Sequence, residues 1–232
     1  GTFAAPGRHP PPCQTAVPGD AGAIMTDIAA LVTAFTTLFI IIDPPGLAPL
    51  YLALTQGMTR RQRLAIGQRA CLTAGVLMLV FLFLGEAVLA FTGISMPAFR
   101  IAGGILLFLT ALDMLFERRQ KRREGNAEDG ADPGHDPSVF PLAIPLIGGP
   151  GAITTIILFA GRAESALDFA LIAVVMALNL LVVLLFFIAA PAVERILGRV
   201  GINVVTRVLG MLLAALAMQF IIDGLRTSGL AG

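Results

Sequence analysis

The sequence predicts an all-α polytopic membrane protein: six transmembrane helices forming two inverted three-helix repeats, with helices 1 and 4 broken. Three observations point there. The chain is 56% hydrophobic and only 13% charged, about half the charged share of a soluble domain. Its basic residues alternate between successive loops. Two proline–glycine interruptions, Asp43-Pro44-Pro45-Gly46 and Gly148-Gly149-Pro150-Gly151, sit in otherwise apolar runs about a hundred residues apart.

Taken in order, residues 1–24 are rich in Pro, Gly and Ala with no helical period, and are expected to form a disordered tail. Met25, just before the first apolar run, is the expected natural start. A membrane helix needs about 20 mostly apolar residues, and six runs meet that need: 27–56, 64–91, 97–116, 138–160, 166–190 and 203–225. The first contains the Asp43 motif and the fourth the Gly148 motif. Residues 25–117 then make the first three-helix repeat and 138–232 the second. The stretch 118–137, basic at first and then acidic and Gly/Pro-rich, is a flexible cytoplasmic connector.

The basic residues test the span count. Arg60, Arg61, Arg63 and Arg69 flank the first loop. Arg118, Arg119, Lys121, Arg122 and Arg123 open the third, and Arg195, Arg199 and Arg207 flank the fifth. The other side holds Arg100, Arg162 and Arg226, with Arg8 in the tail, so the division is twelve against four. Basic loops stay cytoplasmic, which places both termini in the periplasm.

The repeat shows in a second match. The stretch from Phe99 to Leu107 lies over that from Thr206 to Ala214, pairing Arg100 with Arg207 and Gly103 with Gly210. An odd number of crossings returns the chain on the opposite side, so a three-span repeat must invert. Inverted repeats with interrupted helices recur in secondary transporters. In the fourth span about ten residues precede the break and about nine follow it, which sets the break near the bilayer midplane.

The breaks have a physical use. Proline removes a backbone donor, and backbone freed in this way must be buried in protein or line a watery cavity. The helix resuming at Leu47, or at Ala152, starts with unpaired N–H groups and a partial positive charge, which suits a carboxylate. Asp43, Pro45, Gly46, Gly149, Pro150 and Gly151 are therefore expected to border one polar cavity, the alternative being that both breaks are packing kinks. Asp43 could balance a substrate ammonium or carry a coupling proton or Na+; it is equally a good N-cap before proline. Thr154 and Thr155 could donate to a ligand or back-bond to their own helix. Asn179, mid-span, needs an internal partner: a helix-packing hydrogen bond or the substrate. Glu86, Asp223, Arg100 and Arg207 read as interfacial or snorkelling groups.

Other classes find little support. Cys13 and Cys71 form no disulfide framework, and His9 and His135 lie far apart in polar stretches. No metal or other cofactor is expected. HExxH, Ser/Lys and paired-Asp constellations are missing from the sequence, so an enzyme is not expected. A net charge of +1 gives no reason to expect a nucleic-acid partner.

The stretch LFIIIDPPGLAPLYLALT followed by MTRRQR, then RIAGGILLFLTALDML, then PLAIPLIGGPGAITTII resembles the MarC family of bacterial inner-membrane proteins over roughly residues 25–225. The resemblance implies transport: the family is classed with neutral amino acid transporters and grouped with amino-acid exporters. The expected function is thus a gradient-driven transporter or exporter of small neutral solutes, amino acids foremost, in the inner membrane. Its partners are the lipid bilayer, a small-molecule substrate and a coupling proton or Na+, and a homo-oligomer is compatible with the sequence. The alternative is a channel or a non-transporting accessory membrane protein.

Overall fold

The computed structural model describes residues 28–116 and 136–229. The tail over 1–24 and most of the connector over 118–137 lie outside the described residues. Helices α1 (Ile28–Ile42) and α2 (Pro44–Leu54) are separated by Asp43 alone. Together they form one 27-residue span, Ile28–Leu54. Helix α3 (Arg60–Thr92) runs 33 residues. A capping box between Thr59 and Gln62 starts it, and Gly93 in the left-handed conformation ends it, the common way of satisfying the last carbonyls. Helix α4 (Met96–Leu115) opens on Ser95, whose hydroxyl accepts from Ala98 N–H, with a proline in its first turn.

The fourth apolar run is less regular than its hydrophobicity suggests. Its first half, α5 (Ser138–Ile147), is wound in wide π turns, with Phe140 (φ −126°, ψ 126°) and Ile144 (φ −130°, ψ 120°) leaving helical geometry. Each precedes a proline, Pro141 or Pro145, and the proline ring pushes the residue before it into extended conformations. Helix α6 (Pro150–Ala160) follows at 56° to α5.

The remaining helical run, Ala166–Thr227, is interrupted at Gly198 (φ 60°, ψ 178°). That conformation is essentially confined to glycine. It divides the run into α7 (Ala166–Gly198) and α8 (Val200–Thr227). The sequence placed a loop over 191–202, and this is corrected: α7 continues through Pro191, and Arg195 stands on the helix.

Described helices long and apolar enough to cross a membrane number five, or six if the bent pair α5–α6 is one span. Their outer surfaces carry bare Val76, Phe83, Leu109, Leu181 and Leu185, as lipid-facing helices require. Glycines set the inner packing. Gly67 and Gly75 of α3 face Leu184 and Leu180 of α7, and Gly85 faces Ile157 of α6. Along α4 and α8 the contact reaches backbone level. A Cβ at Gly104 would stand 2.9 Å from the Ala217 carbonyl oxygen, and one at Gly224 3.0 Å from that of Pro97. Further along, Gly210 closes on Met114 and the Ala111 carbonyl. Small residues allow such close helix approach in membranes.

Two ends of the bundle follow from these contacts. One carries the 55–59 loop, the Gly198 break and an ion pair between Arg69 and Asp136 at 3.5 Å. Hydrogen bonds from the Ser138 N–H and hydroxyl, helped by Arg69, hold the Asp136 carboxyl below the usual carboxylate range. The other end carries Gly93, the 161–165 turn and an ion pair between Arg162 and Asp223 at 3.7 Å.

Candidate functional site: the two helix breaks

Asp43 is fully buried and adopts the left-handed conformation (φ 58°, ψ 64°), the one positive-φ residue other than glycine among the described residues. Aspartate tolerates this region better than most side chains because it can hydrogen-bond locally. Here its Oδ1 accepts from Gly46 N–H at 3.2 Å, and its carbonyl accepts from Leu47 N–H at 3.1 Å. From α8, Thr206 Oγ1 lies 3.3 and 3.5 Å from the two carboxylate oxygens. The sequence missed Thr206 as a partner, although it opens the stretch that matches Phe99 to Leu107. Nothing local marks a contact between residues so far apart in the chain.

This geometry corrects one expectation. The N-terminus of α2 cannot receive a carboxylate: Pro44 and Pro45 have no N–H, and Asp43 already engages Gly46 and Leu47. The second break differs. Gly149 caps α6, so the structural counterpart of Asp43 is Gly149 rather than Gly148, and no side chain caps this end. Pro150 has no donor and Ile153 N–H bonds to the Gly149 carbonyl. The N–H groups of Gly151 and Ala152, both buried residues, stand at a helix end with no side-chain cap.

The breaks are neighbours. A Cβ on Gly151 would stand 3.2 Å from Ile41 Cγ2 and 3.3 Å from Leu107 Cδ2, so Gly151 packs two residues from Asp43. Pro45 and Gly151 are buried, Gly46 and Gly149 are partly open and Pro150 is exposed. The other candidates divide. Thr154 sets its methyl against Gly103 of α4, whereas Thr155 back-bonds to the Gly151 carbonyl at 2.9 Å. Asn179 is buried on α7; its Nδ2 donates to the Val175 carbonyl at 3.0 Å, while its Oδ1 is buried with no partner. Its described bond stays within α7. The described cavities also lie elsewhere, one between α2, α3 and α7 and one between α1 and α7.

A second polar group stands at the far end of the bundle. Arg162 lies over the Phe220 ring at 5.9 Å and beside Asp223, which also accepts from Gln219 Nε2 at 2.8 Å. Burial, with Arg100 nearby, draws the Arg162 guanidinium below its usual value, and Asp223 opposes the change. Asp223, read as an interfacial group, pairs with Arg162.

The model of the family described as MarC family integral membrane protein matches residues 28–228, which takes in both breaks and nearly every described residue. The chain belongs to the MarC family. This MarC protein is 34% identical over 200 residues to a UPF0056 membrane protein of Methanocaldococcus jannaschii, covering 86% of this chain and 98% of the relative. It is 39% identical over 192 residues to a UPF0056 membrane protein of Archaeoglobus fulgidus, covering 83% and 90%. It is 35% identical over 193 residues to the UPF0056 membrane protein YhcE of Escherichia coli, covering 83% and 90%. The relatives are archaeal as well as bacterial, which widens the bacterial setting expected from the sequence. No solved structure matches this MarC protein.

Proposed function

We propose that this protein is a gradient-driven transporter of small zwitterionic solutes, amino acids foremost, with its site where the two helix breaks meet. The observation that carries this reading is their asymmetry. The α6 end offers two uncapped N–H groups for a carboxylate. Next to it the Asp43 carboxylate is the charge that suits an ammonium or a coupling proton or Na+.

Six crossings and inverted repeats belong to the same reading. Asp136, at the start of α5, pairs with Arg69 of α3, and Gly161, just past α6, abuts Glu86 of α3. These levels differ by about 26 Å at about 1.5 Å per residue, close to the hydrocarbon thickness, which supports a crossing for α5–α6 over a re-entrant loop. The contacts of α4 with α8 are reciprocal at the offset that pairs Asp43 with Gly149: Gly104 meets Ile221 and the Ala217 carbonyl as Gly210 meets Leu115 and the Ala111 carbonyl. The alternation of basic residues supports a reading with both termini outside the cytoplasm, and the family resemblance supports an inner-membrane location.

One observation favours the accessory-protein reading: Asp43 and the α2 end satisfy each other, as in a structural kink. Counterflow of a labelled amino-acid panel in proteoliposomes separates the two. Wild-type exchange is expected for at least one neutral amino acid. It should be lost in Gly151→Leu, whose side chain has no room beside Ile41 and Leu107. Exchange that survives both Gly151→Leu and Asp43→Asn in folded protein would leave the breaks as kinks.

A further inference from the structure

The cavity between α2, α3 and α7 takes no part in the reading above. It measures about 390 Å³ and is lined by Tyr51, Arg60, Arg63, Leu64, Phe187 and Ile188, among others. Its size falls in the range of small-molecule sites. One wall is rigid: the Tyr51 and Phe187 rings stack at 4.3 Å and 5°, and the Tyr51 hydroxyl donates to the Arg63 carbonyl at 2.7 Å. That bond commits the hydroxyl, so the donors remaining in the cavity are the two guanidinium groups.

These groups are poorly compensated. Arg63 Nε is buried without a hydrogen-bond partner, and among the described residues no carboxylate pairs with Arg60 or Arg63. A buried donor on a permanently charged group is costly unless an anion meets it. No acidic residue lines the cavity, so a zwitterion would leave its ammonium unpaired there.

The surroundings are those of a lipid. Arg60 is the first residue of α3, six residues after Leu54 ends α2, which is headgroup level for spans of this length. Leu64 and Ile188 are exposed on the bundle surface, so apolar lining continues outward into hydrocarbon. The N-terminal dipole of α3 adds positive potential, and this is the basic end of the bundle, where anionic lipid is attracted.

We propose that this cavity binds the phosphate of an anionic phospholipid, with Arg60 and Arg63 on the phosphodiester and the first acyl carbons against Phe187 and Ile188. The ligand chemistry is an organophosphate monoanion with an apolar tail, and the source is the bilayer.

Native mass spectrometry of the full chain released from micelles tests this, with phosphatidylglycerol, phosphatidylcholine of the same acyl chains, and glycerol phosphate as separate arms. Phosphatidylglycerol should remain bound where phosphatidylcholine is lost. The double variant Arg60→Gln/Arg63→Gln should bind it about tenfold more weakly, since basic residues at the surface attract anionic lipid. Arg61→Gln, exposed and outside the lining, should bind normally. If the double variant does not fold, Ile188→Trp fills the cavity, keeps both arginines and should lose the adduct. Equal binding of phosphatidylcholine overturns the proposal. So does an adduct that persists in Ile188→Trp or in the double variant, and so does glycerol phosphate binding as tightly as the lipid.

Discussion

At the scale of single residues, Asp43 joins three jobs in one side chain. It holds a left-handed backbone, caps α2 and meets Thr206 across the bundle. Asn serves the first two almost as well as Asp; Ala serves neither. Asp43→Ala is expected to destabilise by about 2 kcal/mol, from a lost cap and a strained φ together. Asp43→Asn should cost less than half of that, as thermal unfolding in detergent would read. Asn179 goes the other way. Its buried, partnerless Oδ1 carries a desolvation penalty, and an apolar residue of similar shape removes it. Asn179→Leu should raise the midpoint of thermal unfolding, by about 1 kcal/mol in stability. Loss of solute exchange in that stabilised variant would place the amide on the transport path. Asp43 and both glycine–proline motifs were legible because they violate an apolar background. Thr206 and the Arg162–Asp223 pair were not, since only tertiary packing brings such partners together.

At the scale of elements, glycines carry two separable demands. Gly198 needs its conformation, not its space: nothing lies within 4 Å of a Cβ built there, but its φ is +60°. Gly104 needs its space, not its conformation, because the atoms a Cβ would meet include backbone of α8. Gly198→Ala is expected to cost about 1–3 kcal/mol through strain alone and to leave the α4–α8 contact intact. Gly104→Ala should force α4 and α8 apart at a cost of about 1–3 kcal/mol. Spin labels at the exposed positions 105 and 218 should distinguish them, reporting the wild-type α4–α8 separation in the first variant and a larger one in the second. Helix existence was readable here and helix character was not. The apolar run over 138–160 hid a π-wound half, although the pairs Phe140-Pro141 and Ile144-Pro145 carried the signal. Pro191 suggested an early end to α7, yet its cost is one lost hydrogen bond and a local clash, which a 33-residue helix absorbs.

At the scale of the whole molecule, the alternation of basic residues supports the proposed orientation, with both termini outside the cytoplasm. A cysteine near position 125 should resist an impermeant thiol reagent in intact cells, and one near the C-terminus should react. The reverse result would invert the protein and move Arg60 and Arg63 to the outer leaflet. Helix existence was legible because hydrocarbon thickness dictates run length; five described spans pass that test, and a sixth needs the bent α5–α6 pair counted as one. The match between the two breaks was legible only to within one residue: the motifs pair Asp43 with Gly148, and the helix ends pair it with Gly149. Sequence identity weighs residues, while capping weighs backbone geometry.

The seam between α4 and α8 constrains how this protein can move. Its contacts at Gly104, Gly224 and Gly210 run most of the length of both helices. Sliding one helix along the other by a single residue would drive Ile, Leu or Met side chains into positions that hold only hydrogen atoms. The seam therefore acts as a pivot and not as a rail. Under the transport reading proposed above, a working stroke would be a rocking about this line, because a piston-like slide of α4 along α8 is blocked at these glycines.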